Sequence, residues 1–383
     1  MQWTTGPNNF ALPRPRVHFD LFPSVRPLLA FAGGHTAGHI APALAAIDWL
    51  RAHGPECEFL FLGTPAKWER ELVTQAGVPF AALPAVPWVG QRALTRLGTL
   101  ARMIPAILAA RRRLRAAHAT TAIGLGSFAS FAPVIAARSL GLPVTLFEPN
   151  AISGLATRLA RPFARVVLVS RLYSGPRSPG RIVETGVPLP RALTELTGSP
   201  PPPPGERLRV LVLGGSLGNP FLNERMPEVA CHLRAMRPAF ALTHQCGHGV
   251  DPRPLAGDYA AAGIEAEVVS FLPSLAAPLR AASFVVTAAG AISLHEVAAA
   301  GVPALVVPLD HGGGAHQLNN AAAFARLTDC PVLTHREWSP ARVADEIHRT
   351  VGEPACWRRR QIGLRALAAS EGTAAFATAI LPR

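Results

Sequence analysis

Of the 37 basic residues in this 383-residue chain only one, Lys67, is a lysine, and the rest are arginine. That bias reads as genomic composition as much as function. A formal charge of +13 by itself leaves nucleic acid, anionic lipid and phosphorylated substrates all open as partners. The five cysteines, Cys57, Cys231, Cys246, Cys330 and Cys356, lie far apart with no CxxC spacing, which points away from a zinc site or a disulfide framework and towards reduced thiols. No stretch of about eighteen apolar residues runs free of Arg, Pro or polar groups, so a membrane span is not expected. The opening MQWTTGPNNFALPRPRVHF lacks the charged-then-apolar order of a signal peptide, and the expected location is cytoplasmic. His35 and His39 are four apart without the glutamate of an HExxH motif, and no DxD-like acidic pair is present, so no metal or other cofactor is expected. The glycine turns fit neither a P-loop nor a full GxGxxG, which weighs against an ATPase or a dehydrogenase.

What is present is apolar sequence, 49% of the chain, enough to bury two cores. Residues 1–26 are rich in Pro and Arg without periodicity and read as a disordered leader. A first domain is expected over 27–198. The runs PLLAFAGG, ECEFLFLG, TTAIGLG, LPVTLFEPN and ARVVLVS are strand-like, and between them lie helical patterns such as HIAPALAAIDWLRAHG. Such alternation marks a parallel sheet wound by crossover helices. The proline run at 199–206 reads as a stiff linker. A second domain of the same kind follows over 207–355, with RLRVLVLGGS, ASFVVTAAG and VPALVVPL as strands, and 356–383 reads as a helical segment returning to the first domain. The expected fold class is therefore α/β, with two Rossmann-like doubly wound sheets facing a cleft at their carboxyl ends, where such folds bind ligands.

Three glycine turns carry the chemistry. GGHTAGHI (33–40) joins a strand to a helix start and exposes backbone N–H groups to an anion, although a tight turn alone also calls for glycine. LVLGGSLGNPFLN (211–223) repeats the device, with Gly214, Gly215, Ser216 and Gly218 placed to cradle a diphosphate. TAAGAISLHEVAAAG puts Glu296 six residues beyond Gly290, where a carboxylate can take ribose hydroxyls or merely face the helix dipole. The segment 86–116 holds seven arginines and no acid; it reads either as an amphipathic membrane-facing surface including Trp88, Leu94, Leu97, Ile104 and Ile107 or as a solvated helix. Pro105 is expected to break its helix.

Together, GGHTAGHIAPALA, GLGSFASFAPVIAARSLGLPVTLFEPN, LVLGGSLGNPFLNERMPEVA, HQCGHG, FLPSLAAPLRAASFVVTAAGAISLHEVAAAGVPALVVPLDH and HQLNNA resemble, in order over about residues 28–330, the MurG family of undecaprenyl-diphospho-muramoyl-pentapeptide N-acetylglucosaminyltransferases. The resemblance implies a GT-B fold and inverting transfer of GlcNAc from UDP-GlcNAc to the muramoyl C4 hydroxyl of lipid I, giving lipid II and UDP. It implies these two substrates and an anionic membrane surface as partners, without nucleic acid, at the cytoplasmic face of the bacterial inner membrane. By position it implies His39 and Glu148 as catalytic, Thr36, Gly38, Gly126 and Ser127 at the acceptor, and Asn150, Gly215, Ser216, Gly218, Leu272, Ala291, Ile292, Glu296, His316, Gln317 and Asn320 at the donor. The chain departs from the family pattern at Phe147 and Pro149, at Ala288 where the family has arginine, and at Val187–Pro190 with Arg191 one place late. Competing readings are a related lipid or natural-product glycosyltransferase, and a nucleotide-sugar-binding protein that has lost turnover.

Overall fold

The computed structural model describes residues 26–84, 93–177, 181–199, 201, 205, 207–236, 239–309, 315–368 and 372–382, with backbone alone over 93–102. Trp88, almost all of the expected leader and most of the expected linker lie outside these residues, as do the side chains of Leu94 and Leu97.

Two parallel sheets form the protein. The first contains β1 (Leu28–Ala32), β2 (Glu58–Gly63), β3 (Phe80–Ala82), β4 (Thr121–Gly124), β5 (Val144–Glu148), β6 (Val166–Val169) and β7 (Ile182–Glu184), in the order 3-2-1-4-5-6-7. The second contains β8 (Leu208–Leu213), β9 (Phe240–Gln245), β10 (Ala266–Val269), β11 (Phe284–Thr287) and β12 (Ala304–Val306), in the order 10-9-8-11-12. Strands such as LLAFA and VTLFE are buried along their whole length, as expected where helices cover both faces. In both sheets the strand order reverses beside the first strand, between β1 and β4 and between β8 and β11. A crevice opens at such a reversal because the connections leave to opposite faces.

Proline inside a helix is tolerated at several described positions, among them Pro227 in the helix Pro220–Met236. Pro42 lies in the helix Ala37–His53, and Pro105 in an unbroken helix Ala93–Ala116, contrary to the break expected from sequence. The loss of one backbone hydrogen bond costs roughly 3 kcal/mol. Burial of Met103 and Ala106 against Ala132, and of Ala110 and Leu114 in the core of the first sheet, holds both halves of the longer helix. The opposite face leaves Ile104 55% and Leu108 50% exposed, with Arg112 and Arg115 following at helical spacing and also exposed. Among the described residues no helix is long and apolar enough to cross a membrane.

The helix Gly372–Ala379 lies against the first sheet. Phe376 meets Phe147 edge-on at 5.0 Å, and the Thr373 hydroxyl accepts the Leu189 amide at 3.0 Å. Phe147, Val187 and Leu189 are thus buried at positions that the resemblance marks as departures.

Candidate functional site

The loops that leave the two crevices face each other. From the first sheet come residues 33–36 after β1, 125–127 after β4 and 149–154 after β5; from the second come 214–219 after β8 and 288–290 after β11. A Cβ at Gly38 would stand 3.6 Å from the side chain of Ile292, and one at Gly154 would stand 3.8 Å from the His316 ring. The Trp68 ring is 6.5 Å from that of His248, which in turn lies edge-on to Phe271 at 6.0 Å.

On the first-domain side the helix Ala37–His53 begins without a side-chain cap and without an acid in its first turn. The cap residue Thr36 instead bonds its hydroxyl to Nδ1 of His39 at 2.9 Å. The first amides of this helix therefore stay available to an anion. Burial, and secondarily the charge of His35, lowers His39 from 6.5 to about 4, so the imidazole is neutral near pH 7 and keeps a lone pair. Gly126 has φ 81, and a Cβ there would lie 2.9 Å from the Phe147 carbonyl oxygen. Ser127 beside it is buried, and its Oγ has no hydrogen-bond partner among the described residues.

On the second-domain side the two helix starts differ. At the helix Pro220–Met236, Asn219 Oδ1 accepts the amides of Phe221 and Leu222 at 3.0 and 3.3 Å, so the helix caps itself. In the loop before it the amides of Gly215, Ser216 and Leu217 have no partner among the described residues. Gly215 and Gly218 have φ 81 and 80, and a Cβ at Gly218 would collide with the Cys246 carbonyl oxygen. Gln245, at the end of β9, steadies the loop by donating to the Gly215 carbonyl at 2.9 Å. The helix Ala291–Ala300, by contrast, starts from Gly290, which has no side chain with which to cap it. Glu296 on this helix is partly accessible, and burial pushes it up to about 7. Leu272 is half-buried against the core beside the exposed Phe271.

Three residues expected to touch substrates are occupied otherwise. Glu148 is 1% exposed; Oε1 accepts the Asn150 amide and side chain at 3.1 and 2.8 Å, and Oε2 accepts the Gly154 amide at 2.9 Å. Burial raises its pKa while these bonds pull it back. Its hydrogen bonds brace the turn 148–154. Asn320, 1% exposed, accepts the Ala151 amide at 2.8 Å and donates to Asn150 Oδ1 and the Ala289 carbonyl, both at 3.1 Å. Asn150 and Asn320 therefore tie one domain to the other, which exhausts the donors of Asn320. Gln317 keeps part of its capacity. Its Oε1 accepts the amides of Ala289 and Leu309, each at 3.1 Å, and its NH2 group has no hydrogen-bond partner among the described residues. His316 is exposed at the crevice.

Sequence reasoning missed Glu69, whose buried carboxylate ties the first glycine turn to the end of β2 through the amides of His35 and Thr64 at 2.6 and 2.8 Å, and it gave no role to Gln245 or Trp68. Gln245 stands in the HQCGHG segment, but nothing local reveals what it holds. Among the described residues no cluster of His, Cys, Asp or Glu is arranged to hold a metal ion.

Removing the side chain of Asn320 leaves a buried N–H at Ala151 and a buried carbonyl at Ala289 without partners. Asn320→Ala is expected to cost about 2–3 kcal/mol in urea unfolding. Asn320→Asp, which turns an oxygen towards two other oxygens, should cost at least as much. Unchanged stability in both variants would contradict the bridge.

The chain matches the glycosyltransferase family 28 N-terminal domain over residues 29–169 and the family 28 C-terminal domain over 209–359. It is 35% identical to a protein of Aeromonas hydrophila, covering 85% of this chain and 88% of that one. With one of Pseudomonas paraeruginosa it shares 32% identity, covering 92% and 98%. Both relatives are named UDP-N-acetylglucosamine–N-acetylmuramyl-(pentapeptide) pyrophosphoryl-undecaprenol N-acetylglucosamine transferase. The crystal structure of Acinetobacter baumannii MurG superposes with a TM-score of 0.70 at 25% identity, covering 92% of this chain and 99% of that one. The glycosyltransferase of kitacinnamycin reaches the same TM-score at 20% identity, covering 94% and 100%, and shows the fold alone. The fold is GT-B, and the chain belongs to the MurG family of glycosyltransferase family 28.

Proposed function

We propose that this protein transfers GlcNAc, with inversion, from UDP-GlcNAc to the muramoyl C4 hydroxyl of undecaprenyl-diphospho-muramoyl-pentapeptide, releasing UDP. The observation that carries the reading is the pairing of an uncapped helix start in each domain across one crevice, in a chain that matches these transferases nearly end to end. In this reading the donor diphosphate rests on the loop amides at Gly215–Leu217 and at the start of the helix Ala291–Ala300. Backbone dipoles there meet the negative charge that grows on the departing UDP, without reorganising. Glu296 takes the ribose hydroxyls, Leu272 and Phe271 flank the base, and His316 with the NH2 group of Gln317 addresses sugar oxygens.

Neutral His39 is the base that accepts the proton of the attacking hydroxyl. Its bond to Thr36 fixes the ring, and when Nδ1 carries the hydrogen of that bond, Nε2 is left as the proton acceptor. Gly38, Gly126 and Ser127 shape the space for the acceptor.

Glu296 sets a pH dependence. Ribose hydroxyls donate more strongly to a carboxylate than to a carboxylic acid, so binding favours the ionised form. With a free-protein value of about 7, affinity for UDP-GlcNAc should tighten by roughly tenfold from pH 6 to pH 8. In a transfer assay with lipid I the wild type should form lipid II, and Glu296→Gln should lose both affinity and this pH slope. A wild type without transfer, or a slope kept in Glu296→Gln, would reject the reaction or the ribose assignment respectively.

The same reading places the protein peripherally at the cytoplasmic face of the membrane that holds its lipid acceptor. Exposed Ile104 and Leu108 in line with Arg112 and Arg115 support an interfacial face. Binding to anionic vesicles should fall with salt and should be lost in Ile104→Ser/Leu108→Ser. Equal sedimentation of that variant with the vesicles would reject this face.

A further inference from the structure

The free amides after β8 are aimed by the segment that follows β9. Gln245 ends that strand, and residues 245–248 form a strap beside the loop 214–218. The Gln245 carbonyl accepts the Gly214 amide at 3.2 Å, its side chain donates to the Gly215 carbonyl at 2.9 Å, and the His248 amide donates to the Ser216 carbonyl at 3.0 Å. Loop and strap touch backbone to backbone, since a Cβ on Gly247 would stand 2.5 Å from the Cα of Gly218. Among the described residues no peptide bond is cis, and in a trans peptide the N–H points opposite to the C=O. With the Gly215 and Ser216 carbonyls held by the strap, the N–H groups of Ser216 and Leu217 point away from it. Because β9 lies on the side of β8 away from β11, that direction is towards the strand-order reversal and the crevice.

The strap also has a contact outside its own domain. The exposed ring of His248 lies 6.5 Å from that of Trp68, tilted by 55°, and meets Phe271 edge-on at 6.0 Å. Aromatic rings attract one another at these separations. Trp68 is fixed to the first domain: it is half-buried against the core, and its neighbour Glu69 is fully buried and bonded to the amides of His35 and Thr64.

We propose that Trp68, carried by the first domain, is a positioning residue for the nucleotide-sugar donor: by packing on His248 it holds the strap 245–248, and through the strap the amides of Ser216 and Leu217, in place across the crevice. The inference rests on the transferase reading above, which puts the donor diphosphate on those amides. Trp68 touches no reacting atom in this account, and its effect on the donor passes through His248.

The test measures UDP-GlcNAc binding to the full chain by calorimetry, as a double-mutant cycle. Trp68→Ala and His248→Ala should each weaken binding by about fivefold, the loss of one aromatic contact. Trp68→Phe, which keeps a ring, should stay within about twofold of the wild type. The double alanine variant should also bind only about fivefold more weakly than the wild type, because both substitutions break the same link. Independent losses that multiply to about twenty-five-fold in the double variant would overturn the proposal, since the two rings would then act separately. Full affinity in His248→Ala, whose exposed ring can be removed without opening a core, would overturn it as well. The measurement needs no acceptor, so a protein that shows this coupling yet forms no lipid II would fail the transferase reading alone.

Discussion

Asn320 is the side chain on which the site geometry turns. Its amide oxygen holds the amide of Ala151 in one domain, and its NH2 group holds the carbonyl of Ala289 in the other. Every group in the bridge is withdrawn from water, so its bonds are strong and their loss is costly. Because Ala289 immediately precedes the cap Gly290 of the Ala291–Ala300 helix, and because Asn150 shares its amide with both Asn320 and Glu148, one buried network sets the spacing of the crevice walls. The approach of Gly38 to Ile292 and of Gly154 to His316 falls within that spacing.

The two domains solve the same electrostatic problem differently. Both present backbone N–H groups at a strand-order reversal, where the fold leaves them pointing into the crevice. In the first domain the cap residue yields its hydroxyl to a histidine and the helix start stays open. In the second, one helix caps itself through Asn219, and its glycine loop carries the free amides instead. These arrangements suit an anionic group on each wall, and the His39 imidazole beside the first is neutral.

The architecture was legible because many buried parallel strands are apolar runs ending at glycine, and β1, β2, β4 and β8 all have that form. β3 and β7 have only three residues each, and β9 ends in His244 and Gln245, so neither length nor apolarity announced them. The glycine turns could be found from local pattern because the backbone conformations they require are local. The bridge could not: Ala151 and Asn320 stand 169 positions apart, and an asparagine reads the same whether it meets a sugar or a backbone. The brace made by Glu148 was hidden for the same reason, since a carboxylate that braces a turn differs from one that moves a proton only in what surrounds it. Pro105 misled in the opposite direction, because the packing that rescues its helix comes from the distant helix Phe131–Ser139.

The central claim is that the nucleotide diphosphate is held by the second domain's free amides and not by those of the first. Amide hydrogen exchange with and without UDP tests it most directly. Slower exchange over residues 214–218 and 290–296, with residues 33–39 unchanged, is the expected result, whereas protection concentrated at 33–39 would contradict the account.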